Sequence, residues 1–160
     1  ITKELEMKGN EKVIVKLNDL LSDELTAVSQ YMVHSEMCDN WGFSKLAEVV
    51  EKRAIDEMKH AEKLISRILF LEAIPIVSHL KEMYIGEEVE QQFKNDHLSE
   101  EGAIQSYNDG IKLCADLGDH GTKDILQNIL NDEEGHIDWI EAQMDQVKRI
   151  GIQNYLVEQI

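Results

Sequence analysis

The sequence predicts an all-α fold made of four long helices, one long crossover connection and a short fifth helix at the C-terminus. Apolar residues recur with the period of an α-helix in four long segments. The chain contains one proline and nine glycines among 160 residues, and these two residue types are the usual helix breakers. No segment shows the sustained alternation of apolar and polar residues that is typical of a β-strand.

The first helix is expected to start after Asn10, whose side chain can cap the free N–H groups of the first turn. Glu24 and Tyr31 fall inside its apolar stripe. The apolar members of that stripe are Leu17, Leu20, Leu21, Val28 and Met32. The sequence Asp39-Asn40-Trp41-Gly42 then predicts a turn.

The second helix is expected to begin near Phe43 or Ser44 and to end before Pro75, because the residue preceding a proline avoids helical geometry. Residues 76–86 form a connection that is long enough to run the length of a bundle. Such a crossover allows the third helix to run parallel to the second.

The third helix is expected to begin near Glu87, and the fourth follows a break at residues 118–121. Gly151 ends the fourth helix, and residues 152–158 predict the short fifth helix. A chain of this length suits a single domain. We assign residues 1–9 to an N-terminal extension and residues 10–160 to that domain.

A duplicated motif lies at the middle of the second and fourth helices. Asp56-Glu57-Met58-Lys59-His60 recurs as Asp132-Glu133-Glu134-Gly135-His136. Each copy is a Glu-x-x-His, which places a carboxylate and an imidazole on one face of a helix. The same offset of 76 residues relates Glu24 to Glu100, and Tyr31 to Tyr107. The chain therefore consists of two similar helix pairs.

The repeated polar residues predict a dinuclear metal centre. They lie on the core-facing stripes and are Glu24, Glu57, His60, Glu100, Glu133 and His136. Burying unpaired carboxylates is costly, and two divalent cations would neutralise four of them. Oxygen-rich ligation with one histidine per ion suits iron or manganese better than structural zinc. A single Glu-x-x-His is typical of a solvated helix face, and only the duplicated set favours a metal. The duplicated set, with a single Glu on each of the other two helices, is also the established di-iron pattern of four-helix bundles.

The charge balance excludes some partners. Asp and Glu number 32 against 16 Lys and Arg, which gives a formal charge of −16. Such a chain is a poor ligand for a nucleic acid, because affinity for phosphates depends on Lys and Arg. It favours cations, although an acidic surface can also serve solubility alone.

We expect a cytoplasmic protein that does not bind a membrane. Cys38 and Cys114 form no C-x-x-C motif and are too few for a disulfide framework, so we interpret both as reduced and structural. Residues 1–6 lack the apolar region of a secretory signal. No apolar run approaches membrane-spanning length. We expect the other histidines at the surface or in turns, namely His34, His79, His97 and His120.

From residue 7 to residue 160 the sequence resembles bacterioferritin, the haem-binding member of the ferritin-like proteins. The motifs that carry this resemblance are Asp23-Glu24-Leu25, Gln30-Tyr31, Asn40-Trp41-Gly42, Ile55-Asp56-Glu57-Met58-Lys59-His60-Ala61, Arg67-Ile68-Leu69-Phe70-Leu71-Glu72, Asp132-Glu133-Glu134-Gly135-His136-Ile137-Asp138-Trp139 and Gln153-Asn154-Tyr155-Leu156. The resemblance implies a ferritin-like bundle and self-assembly through dimers into a hollow shell of twenty-four subunits. It implies a ferroxidase that oxidises Fe(II) with peroxide or dioxygen and stores ferric mineral.

The resemblance also implies roles for individual residues. Glu57 and Glu133 would bridge two irons, with Glu24 and Glu100 as terminal ligands. The two imidazoles of the motifs complete the set. Tyr31 resembles the family's redox-active tyrosine, although a buried core tyrosine would need no such role.

Met58 follows Glu57 directly, so its side chain points about 100° away around the helix. It must therefore face a neighbouring element. The resemblance implies that Met58 ligates haem b, or a related iron porphyrin, at a two-fold dimer interface. A symmetric interface lets a residue meet its own copy. A methionine that only packs a dimer seam is the simpler reading of the residue alone.

Other positions carry weaker expectations. Lys52 stands where the family often carries a cavity-facing histidine, which puts an inner-surface iron site with Asp56 in doubt. Asn40, Glu72 and Asp138 match polar residues that line a pore through which iron enters. The resemblance further implies a small ferredoxin as the electron donor for iron release.

Several alternatives share the same metal ligands. A haem-free ferritin, a rubrerythrin-like peroxidase or a manganese catalase-like enzyme would use a similar centre. This chain lacks the Cys-rich module that rubrerythrin usually adds. A subunit that supports a catalytic partner in a mixed shell is the alternative from a different class.

Overall fold

The computed structural model of the chain describes residues 8–160, and the predicted all-α fold is confirmed. Over these residues the chain forms five helices and no strand. The helices are α1 (Glu11–Asn40), α2 (Ser44–Phe70), α3 (Val89–Asp116), α4 (His120–Ile150) and α5 (Ile152–Val157). Seven residues of the predicted N-terminal extension lie outside the described range, so the domain boundary at residue 10 stays a prediction.

The bundle consists of two helical hairpins. α1 packs along α2, and α3 packs along α4, as the short connections at residues 41–43 and 117–119 require. Residues 71–88 link the hairpins without a helix. Side-chain contacts pair Gln30 with Asp96 and Glu24 with Tyr107, so α3 runs antiparallel to α1. It therefore runs parallel to α2, as the long crossover predicts.

The observed helix ends agree with the expected caps at most positions. The Asn10 side chain accepts a hydrogen bond from the N–H of Lys12 at 2.8 Å, as predicted. The prediction that α2 continues to Pro75 is wrong, because α2 ends at Phe70. Glu72 adopts a left-handed conformation with φ 62°, and the N–H of Ala73 bonds back to the Ile68 carbonyl. This is a Schellman motif, which ends a helix without proline.

The apolar core lies in two clusters that leave the middle of the bundle to polar residues. One cluster includes Leu17 and Leu21 before Glu24 on α1, and Leu64 and Ile68 on α2. The other is built around Cys38, Leu46, Val50, Phe93 and Tyr155. Glu24 and the other repeated polar residues therefore occupy the central layer between two apolar ends.

His34 was expected at the surface, and this expectation is wrong. Its ring is fully buried. Nδ1 lies 2.9 Å from Asp96 Oδ1, and Nε2 accepts a hydrogen bond from the N–H of Gly86 at 3.0 Å. Gln30 joins the same network through Asp96 and the N–H of Tyr84. These bonds fasten the crossover to α1 and α3.

Met32 was assigned to the core stripe of α1, but 53% of it is exposed. The stripe follows the 3.6-residue period through Tyr31, His34 and Cys38, which turns Met32 to the outer face. Both cysteines are free and buried, as expected. Burial raises the pKa of Cys38 to about 12, so this thiol stays protonated. Among the described helices, none combines the length and apolarity that a membrane crossing needs.

Candidate metal centre

The four long helices each bring a carboxylate to the centre of the bundle. α1 contributes Glu24, α3 contributes Glu100, and α2 and α4 each contribute a Glu-x-x-His. All six side chains are buried: Glu24, Glu57, His60, Glu100, Glu133 and His136. The i, i+3 spacing places each histidine beside the glutamate of its own motif.

The six side chains form two overlapping groups. One group contains Glu24, Glu57, His60 and Glu133, and the other replaces Glu24 and His60 with Glu100 and His136. In each group the potential ligand atoms lie within 4.8 Å of one another. Glu57 and Glu133 belong to both groups. The arrangement has the composition of two adjacent cation sites that share two carboxylates.

Each of the six side chains holds one buried polar atom that has no hydrogen-bond partner. Among the described residues these atoms are Glu24 Oε2, Glu57 Oε1, His60 Nδ1, Glu100 Oε2, Glu133 Oε1 and His136 Nδ1. Buried polar groups are normally paired. His60 Nδ1 lies 2.8 Å from Glu133 Oε1, and His136 Nδ1 lies 2.9 Å from Glu57 Oε1. Neither contact is a hydrogen bond, so potential ligand atoms crowd together here without bonding one another.

The outer nitrogen of each imidazole meets the aspartate of the opposite motif. His60 Nε2 lies 3.0 Å from Asp132 Oδ2, and His136 Nε2 lies 3.4 Å from Asp56 Oδ2. These carboxylates can hold the Nε2 proton and leave Nδ1 free to act as a ligand. This orienting role was not predicted from the sequence, although the repeated Asp before each Glu was the available signal.

Two tyrosines complete the central layer. The Tyr31 hydroxyl donates to Glu100 Oε1, and the Tyr107 hydroxyl donates to Glu24 Oε1. Burial raises the pKa of both phenols well above 10, so both remain donors. From the sequence, Tyr107 was identified only as the residue that corresponds to Tyr31 in the second helix pair. Each tyrosine crosses to the other helix hairpin, which a sequence offset does not reveal.

The metal-free carboxylates differ in protonation. Burial raises the pKa of Glu100 to about 8, and the nearby Glu133 adds to this effect. Burial also raises the pKa of Glu24 well above 4.5. For Glu57, burial opposes ionisation, but the adjacent Glu24 carboxyl group and the two nearby imidazoles lower its pKa to about 2. The centre therefore holds a mixture of charged and protonated carboxyl groups.

The imidazoles take up protons in the absence of a metal. Burial alone would lower a histidine pKa, but the surrounding carboxylates raise it, chiefly Glu133 for His60 and Glu100 for His136. The pKa of His136 rises to about 11. Protons thus neutralise the cluster where cations are absent. Any cation that binds here must displace them.

A cavity of about 350 Å³ connects the carboxylates to the outside between α1, α3 and the crossover. Its inner end is formed by Glu24, Glu57, Glu100, Glu133 and Tyr31. Its walls carry small residues, which are Ala27, Ser99, Gly102, Ala103 and Ser106. Charged residues surround its outer end, namely Asp19, Asp23, Lys81 and Glu82. The centre is therefore buried but reachable.

Met58 lies outside the cluster, on the outer face of α2, and 41% of it is exposed. Ile55 lies three positions earlier on the same face and is 46% exposed. The pore candidates Asn40, Glu72 and Asp138 are all exposed as well. Their function depends on neighbouring subunits and stays a prediction.

The chain matches known proteins over most of its length. Residues 14–150 match the ferritin-like domain family. Bacterioferritins from Brucella melitensis and Rhodobacter capsulatus are each 41% identical over 149 residues, which covers 93% of this chain and 92% of each relative. Bacterioferritin BfrA from Mycobacterium tuberculosis is 37% identical over 149 residues, covering 93% of this chain and 94% of the relative. The chain therefore belongs to the bacterioferritin family of ferritin-like proteins.

Proposed function

We propose that this protein stores iron and that it is a ferroxidase, with the buried carboxylate–histidine cluster as its Fe(II) oxidation centre. Membership of the bacterioferritin family supports the iron-storage role. One observation supports the oxidation centre. Six potential metal-ligating side chains converge from four helices, and each has a buried polar atom without a hydrogen-bond partner. Burying polar or charged atoms without a partner costs free energy, and a bound cation or added protons would offset that cost.

The two overlapping groups support different roles for the shared and the unshared ligands. Glu57 and Glu133 belong to both groups, so they are the proposed bridging ligands. Glu24 and Glu100 each belong to one group and are the proposed terminal ligands. Each cation would receive one imidazole nitrogen. This oxygen-rich set suits iron or manganese.

When two ferrous ions are bound, the pair supplies two electrons together to peroxide or dioxygen. The protein contributes by holding the ligands in place before binding, which removes the cost of assembling them during the reaction. Asp56 and Asp132 orient the imidazoles. Tyr107 and Tyr31 hold the terminal carboxylates through hydrogen bonds. Tyr31 is buried beside the centre and is the proposed redox-active tyrosine.

The ferroxidase proposal is tested by rapid mixing of Fe(II) with the assembled protein and dioxygen or peroxide. Wild type is expected to oxidise Fe(II) in a fast phase that saturates near two ions per subunit. Glu24→Ala should slow that phase by roughly 100-fold or more, the loss expected when a positioned ligand is removed. Glu134→Ala, an exposed change in the second motif, should leave it unchanged. Equal rates for wild type and Glu24→Ala would reject the centre.

We also propose that Met58 binds haem b, or a related porphyrin, across a dimer interface. Its exposure supports this proposal, because a methionine turned into the core would be inaccessible. Val49 and Ile55 on α2 are also partly exposed, as are Met32 and Val33 on α1. Such faces are typical of protein–protein contacts.

The haem and shell proposals are tested on purified protein by light scattering and by the visible absorption spectrum. A twenty-four-subunit particle with a haem spectrum that Met58→Leu abolishes would support both. A shell without haem would favour the haem-free ferritin. A dimer that consumes peroxide without storing iron would favour a rubrerythrin-like peroxidase. A shell that oxidises iron only with a second subunit type would favour a supporting role.

The remaining proposals concern supply and release of iron. Fe(II) would enter through acidic pores, including the one predicted at Asn40, Glu72 and Asp138. A small ferredoxin would supply electrons through the haem for release of stored iron. We further propose that these reactions take place in the cytoplasm.

A further inference from the structure

The cavity above the carboxylate centre ends at a small cluster of opposite charges. Asp19 and Asp23 lie one helical turn apart on α1. Lys81 reaches them from the crossover, with its Nζ 2.8 Å from Asp19 Oδ1 and hydrogen-bonded to Asp23 Oδ1. The Lys81 side chain is 37% exposed. This charged cluster therefore lies at the outer end of the cavity.

The inner end of the same cavity holds an unpartnered acceptor. Glu24 lines the cavity and is 2% exposed, and its Oε2 has no hydrogen-bond partner among the described residues. Gly102 and Ala103 of α3 line the wall between the two ends. Their small side chains leave space beside α1. A cation held at Asp19 and Asp23 would thus face an open route to Glu24.

We propose that Lys81 closes the outer end of this cavity, and that a divalent cation reaches the centre by displacing the lysine ammonium from Asp19 and Asp23. The inference rests on the proposed function, because it takes the inner carboxylates as the destination. A partly exposed ion pair is weak, and lysine is a flexible point charge. A divalent ion carries twice that charge and competes for the same two carboxylates.

The backbone of the crossover is anchored without the lysine side chain. The N–H of Lys81 donates to Thr26 Oγ1 at 2.8 Å. Ser22 Oγ donates to the His79 carbonyl at 2.7 Å. Removing the Lys81 charge should therefore leave the connection in place. The substitution tests the charge at the mouth of the cavity rather than the fold.

The test follows Co(II) uptake by the metal-free assembled protein in a stopped-flow spectrometer, since Co(II) binding is visible without redox chemistry. Lys81→Met should load roughly tenfold faster than wild type at low salt, the low end of electrostatic effects on association. The final ratio of two Co(II) per subunit should not change. Lys81→Arg should resemble wild type. The matched control is Lys112→Met, which removes an exposed lysine paired with Asp116 elsewhere on the surface.

The charge mechanism predicts two further results. Salt at about 1 M should reduce the difference between Lys81→Met and wild type, because it screens exposed charges. Adding Asp19→Asn to Lys81→Met should slow uptake again. The proposal is overturned if Lys81→Met loads no faster than Lys112→Met, if Lys81→Arg is as fast as Lys81→Met, or if Lys81→Met loses bound metal.

This outcome is separable from the test of the proposed function. A wild type that takes up Co(II) but does not oxidise Fe(II) would reject the ferroxidase proposal, and the Lys81 comparison would still be decided. A wild type that oxidises Fe(II) with no effect of Lys81→Met on Co(II) uptake would reject only the role of Lys81.

Discussion

At the scale of single residues, the two histidines and the two single glutamates of the central layer each hold one polar atom in an outer contact and leave a second one without a hydrogen-bond partner. Each histidine turns one ring nitrogen toward the cluster and the other toward an aspartate of the opposite motif. Glu24 and Glu100 each accept a hydrogen bond from a tyrosine on one oxygen and leave the other without a partner. In each of the two groups, the side chains offer ligand atoms that lie within 4.8 Å of one another. These outer contacts orient the donors before any cation arrives.

The aspartates behind the imidazoles should therefore control metal affinity. Asp132→Asn leaves a side chain that still contacts His60 but carries no charge. Metal affinity should fall by roughly 10- to 100-fold, which is typical when the partner of a metal-binding histidine is changed. Isothermal titration with Co(II) measures it, with Asp124→Asn on the same helix as the control. An affinity equal to that of the control would contradict the orienting role.

Metal binding should also release protons, because Glu24, Glu100 and both histidines hold protons in the metal-free centre. The pKa of Glu100 is about 8 and that of His136 is about 11. Apparent affinity should therefore increase as the pH rises from 6 through about 8. Titrations in buffers of different ionisation enthalpy count the released protons. Affinity that is independent of pH would show that the centre is already deprotonated.

At the scale of elements, the crossover is fixed by polar contacts rather than by a hydrophobic seam. Its residues Ile74, Ile76 and Val77 are at least half exposed. The buried network around His34 and Asp96 binds its far end instead. The crossover in turn carries Lys81 to the mouth of the cavity. The position of the connection thus matters for access to the centre.

His34→Ala should loosen the crossover. It leaves Asp96 and the N–H of Gly86 buried without this partner, which costs about 1–3 kcal/mol. The free energy of unfolding in denaturant measures the loss, and hydrogen exchange should rise at residues 81–86. His97→Ala, which removes a partly exposed histidine from α3, is the matched control and should cost much less. Equal costs for the two variants would contradict the role of the network.

At the scale of the whole molecule, the buried cluster couples folding to proton binding. The folded, metal-free chain holds protons that the unfolded chain would release. Glu100 is protonated in the folded chain but not in the unfolded chain between pH 4.5 and about 8. The same holds for His136 between pH 6.5 and about 11. Because the native state binds more protons in these windows, stability decreases as the pH rises through them.

The metal-free protein should therefore be most stable near pH 5. Below that pH, stability should fall again as the pH approaches the value of about 2 at which Glu57 becomes protonated. Loading with Co(II) at 100 times its Kd should add about 2.7 kcal/mol, and the gain should grow with pH. Thermal or denaturant unfolding of both forms checks this. A metal-free stability that rises steadily from pH 5 to 9 would contradict the assigned protonation.

The sequence by itself determined the helices and the composition of the centre. The 3.6-residue period and the scarcity of proline specify four long helices, because local propensity and one apolar stripe suffice to form them. The duplicated Glu-x-x-His and the matching Glu24 and Glu100 identify the six central residues, because helical spacing converts sequence offset directly into position on a face.

Only the tertiary structure decided which groups meet across the two hairpins. The bonds of Tyr31 to Glu100 and of Tyr107 to Glu24 join residues 69 and 83 positions apart. The burial of His34 and the position of Lys81 over Asp19 and Asp23 depend on the path of the crossover, which has no periodic pattern to read. The early end of α2 depends on the left-handed conformation of Glu72. Contacts between distant segments follow from how the helices pack, and no local rule of sequence specifies that packing.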